Sequence, residues 1–190
     1  LLAGSVSVFL RQRALFTFTL AAGAACWLAG NLLWLGGFSV YEVVPWWAGF
    51  LVLTIAGERL ELSRFLPPSP TARRVFVAVL AGLTFGMALQ AQVFGAALLA
   101  LALWLLRQDI ARRTVKDKGV TRFIAVCLLS GYGWLALAGA IMLGTGLAPG
   151  SASYDAALHA LMLGFVFSMV FGHAPIIFPA VLRVAVPYHP

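Results

Sequence analysis

Apolar runs long enough to cross a bilayer alternate with short polar breaks along this chain, and the pattern predicts six membrane helices. They fall at 14–35, 45–65, 74–89, 93–106, 123–144 and 154–182, near the length of about 20 apolar residues that a bilayer demands. Pro45 is expected to open the second, because proline suits a first helical turn. Pro67-Pro68-Ser69-Pro70 stops that helix and forms a short turn. The third and fourth runs are short and separated by Gln90-Ala91-Gln92, as a tight pair or as one broken, re-entrant unit. The stretch 107–122 is the main polar loop, with alternating charges that suggest a solvated helical turn. Ser153 is expected to cap the sixth helix. Its 29 residues would span about 43 Å at about 1.5 Å each, so it must tilt or kink, and Pro175 and Pro179 supply the kink.

The fold class expected is all-α, a polytopic transmembrane bundle of about six helices forming a single domain over 1–190. The run 1–10 ends at Arg11 and reads as the tail of an earlier crossing, without the basic start or cleavage site of a signal peptide. Pro187-Tyr188-His189-Pro190 reads as a loop leading onward, so helices are expected beyond both ends.

Composition sharpens the picture. Hydrophobic residues make up 62% of the chain and charged residues 10%, against about 45–50% and about 25% in soluble domains. With six crossings, all 13 Lys and Arg fall on one side, which the positive-inside rule assigns to the cytoplasm. The net charge of +7 is better explained by anchoring beside anionic headgroups than by nucleic acid, because no soluble face presents it. Tyr41, Trp46 and Trp47 fit an aromatic belt at the outer surface. Cys26 and Cys127 lie within apolar segments and read as small buried residues, with metal ligation a minor alternative.

Candidate chemistry concentrates in the sixth helix. His159 and His173 are fourteen residues apart, which at about 100° per residue points both to within about 40° of one direction at two depths. Two imidazoles stacked in this way match an arrangement that holds haem across a membrane, since imidazole is a common axial ligand. They are the metal-ligand candidates, with structural polar contacts and proton handling as alternatives. Asp155 stands one turn before His159, where it would orient the ring. Met162 and Met169 lie near the histidine side. A stripe of Ala156, Ala160, Gly164, Ser168 and Gly172 lets a helix or a flat macrocycle approach the backbone. No other span carries a histidine, so a second axial ligand is sought in Met142, another subunit, a symmetry mate or helices outside the chain. One-sided ligation is the other arrangement. His189 reads as a loop residue. Glu58-Arg59-Leu60-Glu61-Leu62-Ser63-Arg64 closes the second helix as an interfacial ion-pair cluster, with Glu61 and Arg64 at i,i+3. There is no phosphate loop, hydrolase triad or carboxylate dyad.

The stretch 122–143, RFIAVCLLSGYGWLALAGAIML, followed by LHALMLGF at 158–165, resembles the late helices of NnrS-family membrane proteins. The stretch 159–179, HALMLGFVFSMVFGHAPIIFP, is similar to a helix in small relatives of haem–copper oxidase subunit I. The likeness covers about the last third of the chain. It implies haem b, or copper, and a role in nitrogen-oxide metabolism in a bacterial cytoplasmic (inner) membrane. It carries over His159, with Gly164 and Gly172 as positions around the cofactor. His173 departs from the oxidase-like pattern, following Gly172 rather than preceding the proline. The chain also lacks the several histidines of a haem–copper centre, so it is not expected to be a complete enzyme. Together these readings give a haem or redox-metal binding membrane subunit for electron transfer or nitrogen-oxide handling. The alternative is a cofactor-free scaffold in a larger complex. Both expect a lipid bilayer and other membrane subunits, or a homo-oligomer, as partners.

Overall fold

The computed structural model describes residues 1–62 and 69–183, where helices joined by short loops account for the fold. Helix α1 (Leu2–Arg11) lies against α2 (Leu15–Leu35), and α3 (Val40–Leu62) returns beside it. Next come α4 (Pro70–Leu89) and α5 (Ala91–Gln108), a single turn α6 (Ala111–Thr114), and α7 (Gly119–Thr145). The last, α8 (Ala152–Leu182), is 31 residues long. Six of these are long and apolar enough to cross a membrane. The molecule is a polytopic all-α bundle.

Several local expectations are corrected. Helix α3 begins at Val40 and carries Pro45 inside it, because Glu42 turns back to accept hydrogen bonds from the Ser39 backbone (2.9 Å) and hydroxyl (2.8 Å) and starts the helix earlier. The cap of α8 is Ser151 rather than Ser153: its hydroxyl accepts from the Tyr154 N–H at 3.1 Å. Helices α4 and α5 are separate continuous helices of 20 and 18 residues, each long and apolar enough to cross a membrane, rather than one broken unit. Only Gln90, in an extended conformation, separates them. That hairpin closes so tightly that a side chain on Gly86 would run into the Phe94 backbone. At the other end of α4, Ser69 caps the helix with Pro70 in its first turn. The i,i+3 pairing of Glu61 with Arg64, the Pro67-Pro68 turn and His189 lie outside the described residues.

Helix α8 runs through both prolines and departs from α geometry elsewhere, over Ala160–Val166, where it widens into a π stretch. Each residue inserted in this way rotates everything beyond it by about 100°. The phase relation predicted between His159 and His173 does not survive that insertion.

In lipid, close packing holds helices together, since burying apolar surface from water contributes little. Helices α5 and α7 meet backbone to backbone where Gly95 faces Gly139, each lying where the other's side chain would go. The stripe on α8 packs on α7: Trp134 fills the space over Gly164, while Gly172 sits 3.4 Å from Cys127 Cβ, measured from the position its own Cβ would take. Helix α2 packs chiefly on α3, α5 on α7 and α4, and α8 on α7. The α2–α3 pair therefore adjoins the rest along thinner seams, with α4 and with α8.

Candidate functional site: a buried polar network

One of those seams, between α3 and α8, is crossed by charge. Arg59, near the end of α3, is 7% exposed, and Asp109, just past the end of α5, is 9% exposed. Asp109 folds inward because its Oδ1 accepts the Ala111 N–H at 2.8 Å, which starts the α6 turn and buries Ala111. The other oxygen, Oδ2, accepts the hydroxyl of fully buried Tyr132 from α7 at 2.6 Å. It also lies 3.8 Å from Arg59 Nη1. On its far side Arg59 Nη2 donates to His173 Nε2 of α8 at 2.7 Å.

The tautomer of His173 follows from its partners. Nδ1 is 2.6 Å from the Met169 carbonyl, which only accepts, so Nδ1 carries the proton and Nε2 is the acceptor for Arg59. Both ring nitrogens are engaged and the imidazole is neutral. The chain thus places, in series, a phenol, a carboxylate, a guanidinium and an imidazole from four segments. The series is not fully satisfied: Arg59 Nε is buried without a hydrogen-bond partner, and 3.8 Å is a long ion pair. Beside it, a cleft of about 290 Å³ opens between α3 and α8, lined by apolar side chains with Thr54, Glu58 and His173.

The other candidates lie apart from this network. His159 is exposed, and its Nδ1–H donates to the Asp155 carbonyl at 2.9 Å, with the Asp155 carboxylate 3.3 Å away. Its Nε2 has no partner among the described residues. Met142 is fully buried and faces Gly95 of α5. Met169 is buried against Gly131 of α7. Gly164 and Gly172 are occupied by α7, as above. Among the described residues no three His, Cys, Asp or Glu side chains converge as a metal-holding group. Cys26 is buried, Cys127 is half-buried, and both are free thiols.

Sequence reasoning singled out His173 but missed what it touches. Arg59 looked like one of several interfacial charges, Asp109 fell in the polar loop, and Tyr132 was not singled out. A signal was available: Tyr132 places a phenol in the middle of a largely apolar span, between Gly131 and Gly133, and a phenol buried there needs a partner.

Six crossings around a buried polar centre define a multi-pass membrane protein of the helical-bundle class. Within that class, the family model described as "Domain of unknown function (DUF8744)" matches residues 1–190, and the chain belongs to that family. No curated protein and no solved structure matches the chain.

Proposed function

We propose that the chain is a proton-responsive membrane subunit whose working element is the Arg59–Asp109–Tyr132–His173 network. The observation that carries this is the neutral His173 Nε2 accepting from Arg59 across the seam between α3 and α8. Ionisable groups inside a membrane bundle are costly and usually mark function. Proton uptake by His173 falls on Nε2, the atom facing the guanidinium. It turns an acceptor into a second cation at hydrogen-bond distance, in surroundings that screen charge poorly. The bond then breaks, and α8 is released from α3. Among the described residues Glu58 is the one acid lining the same cleft, while Asp109, itself held by Tyr132, holds Arg59 from the other side. The buried Arg59 Nε–H, a donor without an acceptor among the described residues, favours a network that rearranges over a rigid clamp.

Spin labels at Leu62→Cys and Phe178→Cys, with Cys26 and Cys127 replaced by Ala, report the distance across this seam. Acidifying the buffer is expected to lengthen it, and His173→Gln, which cannot take up the charge, to abolish the response. A distance that is the same in both buffers defeats the proposal and leaves the network as a packing clamp, the scaffold alternative. The clustering of basic residues at one end of the bundle supports a bacterial inner-membrane orientation with that end cytoplasmic.

A second reading keeps haem b, or copper, on His159 rather than on His173. Its support is the open Nε2 of a ring oriented by Asp155. The fit is partial: the chain offers one imidazole at an exposed position, and Trp134 already occupies the Gly164 face. A macrocycle there would be completed by another membrane subunit or a second copy of the chain, and would supply electron transfer or nitrogen-oxide binding. A dithionite-reduced minus oxidised spectrum tests it: a b-type signal lost in His159→Ala supports it, and a flat spectrum ends it.

A further inference from the structure

A different recess, at the basic end of the bundle, has the chemistry of a ligand site. It lies between the end of α5, the α6 turn and α7, is lined by Leu103, Leu106, Arg107, Arg112, Val115 and Leu129, and has a volume of about 720 Å³. Leu103, Leu106 and Arg107 share one face of α5 at i, i+3 and i+4. Leu103 is 58% exposed there, as befits a surface in contact with lipid. Above this apolar wall stand two guanidinium groups with no ion pair or hydrogen-bond partner among the described residues. No acidic residue lines the recess. The nearest acid in the chain, Asp109, faces inward and is engaged by Tyr132, Ala111 and Arg59. Its inward fold sets the α6 turn and brings Arg112 out beside Arg107. Two positive charges at the mouth of a leucine-lined slot complement a phosphate carrying an acyl chain.

We propose that this recess binds one anionic phospholipid, its phosphate between Arg107 and Arg112 and an acyl chain along Leu103, Leu106 and Leu129. Planar guanidinium forks suit phosphate oxygens. Basic recesses between membrane helices are a recurrent form of headgroup recognition. The site stands apart from the α3–α8 seam and does not depend on the proton-responsive reading.

Native mass spectrometry of the full chain in detergent tests it, with phosphatidylglycerol and phosphatidylcholine of equal chain length as probes. One phosphatidylglycerol is expected to bind roughly 10-fold or more tightly than phosphatidylcholine, the scale of two arginine contacts. Arg107→Gln with Arg112→Gln should erase that preference, whereas Arg73→Gln with Arg74→Gln, the same charge loss at the same end, should keep it. Leu129→Trp keeps both charges and fills the slot, so it should also weaken phosphatidylglycerol binding, which guards against a paired arginine variant that fails to fold. Equal binding of the two lipids, or equal loss in both arginine pairs, overturns the proposal in favour of unspecific attraction. Displacement by millimolar inorganic phosphate overturns the lipid assignment in favour of a free phosphate.

Discussion

His159 and His173 sit on one helix, yet their surroundings have little in common. Around His159 the chain is open: the ring and its Asp155 neighbour have side chains 59% and 75% exposed, and their contact lies within one turn of α8. His173 ends a network drawn from three other segments, and the acid that completes it has a side chain 3% exposed. A contact within one exposed turn constrains nothing beyond that turn. A contact drawn from four segments fixes where α3, α7 and α8 lie relative to one another, and its loss is felt across the bundle.

The largest expected effect comes from removing the buried acid. Asp109→Ala leaves Arg59 enclosed without its counter-charge, and breaking one side of a buried pair costs about 3–5 kcal/mol. Asp155→Ala, on the open side, should leave the thermal unfolding midpoint in detergent unchanged, since exposed pairs contribute little. Equal midpoints for the two variants would erase the contrast between the two regions. A smaller effect is expected of Tyr132→Phe, which removes one hydroxyl and keeps the ring. A hydrogen bond to a charged group is worth about 1.5–3 kcal/mol, so this variant should melt between Asp109→Ala and the parent. A midpoint matching the parent would mean that Asp109 is held by Arg59 and the Ala111 amide alone.

How far the sequence foretold this contrast depends on the kind of signal involved. The six spans were legible because bilayer thickness imposes a length on apolar runs, and the sixth was placed at 154–182 against the observed Ala152–Leu182. Packing through Gly164 and Gly172 was legible too, since small residues every fourth position have few other uses in lipid. The π stretch was not: Ala-Leu-Met-Leu-Gly-Phe-Val carries no residue that distinguishes it from ordinary apolar helix. It invalidated an angle computed on uniform geometry. Nor was the network legible. Arg59, Asp109, Tyr132 and His173 are separated by 23 to 50 positions along the chain, and no local spacing relates them. Asp109 was hardest of all, because an acid among basic loop residues looks solvated until the Ala111 amide is seen to turn it inward.

The smallest perturbation is chemical and needs no mutation. Diethylpyrocarbonate acylates an imidazole nitrogen that is both reachable and free to attack. His159 meets both conditions at Nε2, because its ring is exposed and only Nδ1 is engaged. His173 meets neither in full: its residue is half-buried, its Nε2 lone pair is taken by Arg59, and its Nδ1 proton is given to Met169. Peptide mass spectrometry of the folded protein should therefore find the adduct on His159 well before His173. The order should narrow in Arg59→Leu, where His173 Nε2 is released while the ring keeps its place on α8. If instead His173 reacts first in the parent protein, the Arg59 bond does not hold its lone pair, and the distinction between an enclosed and an open histidine fails at the atom on which it rests.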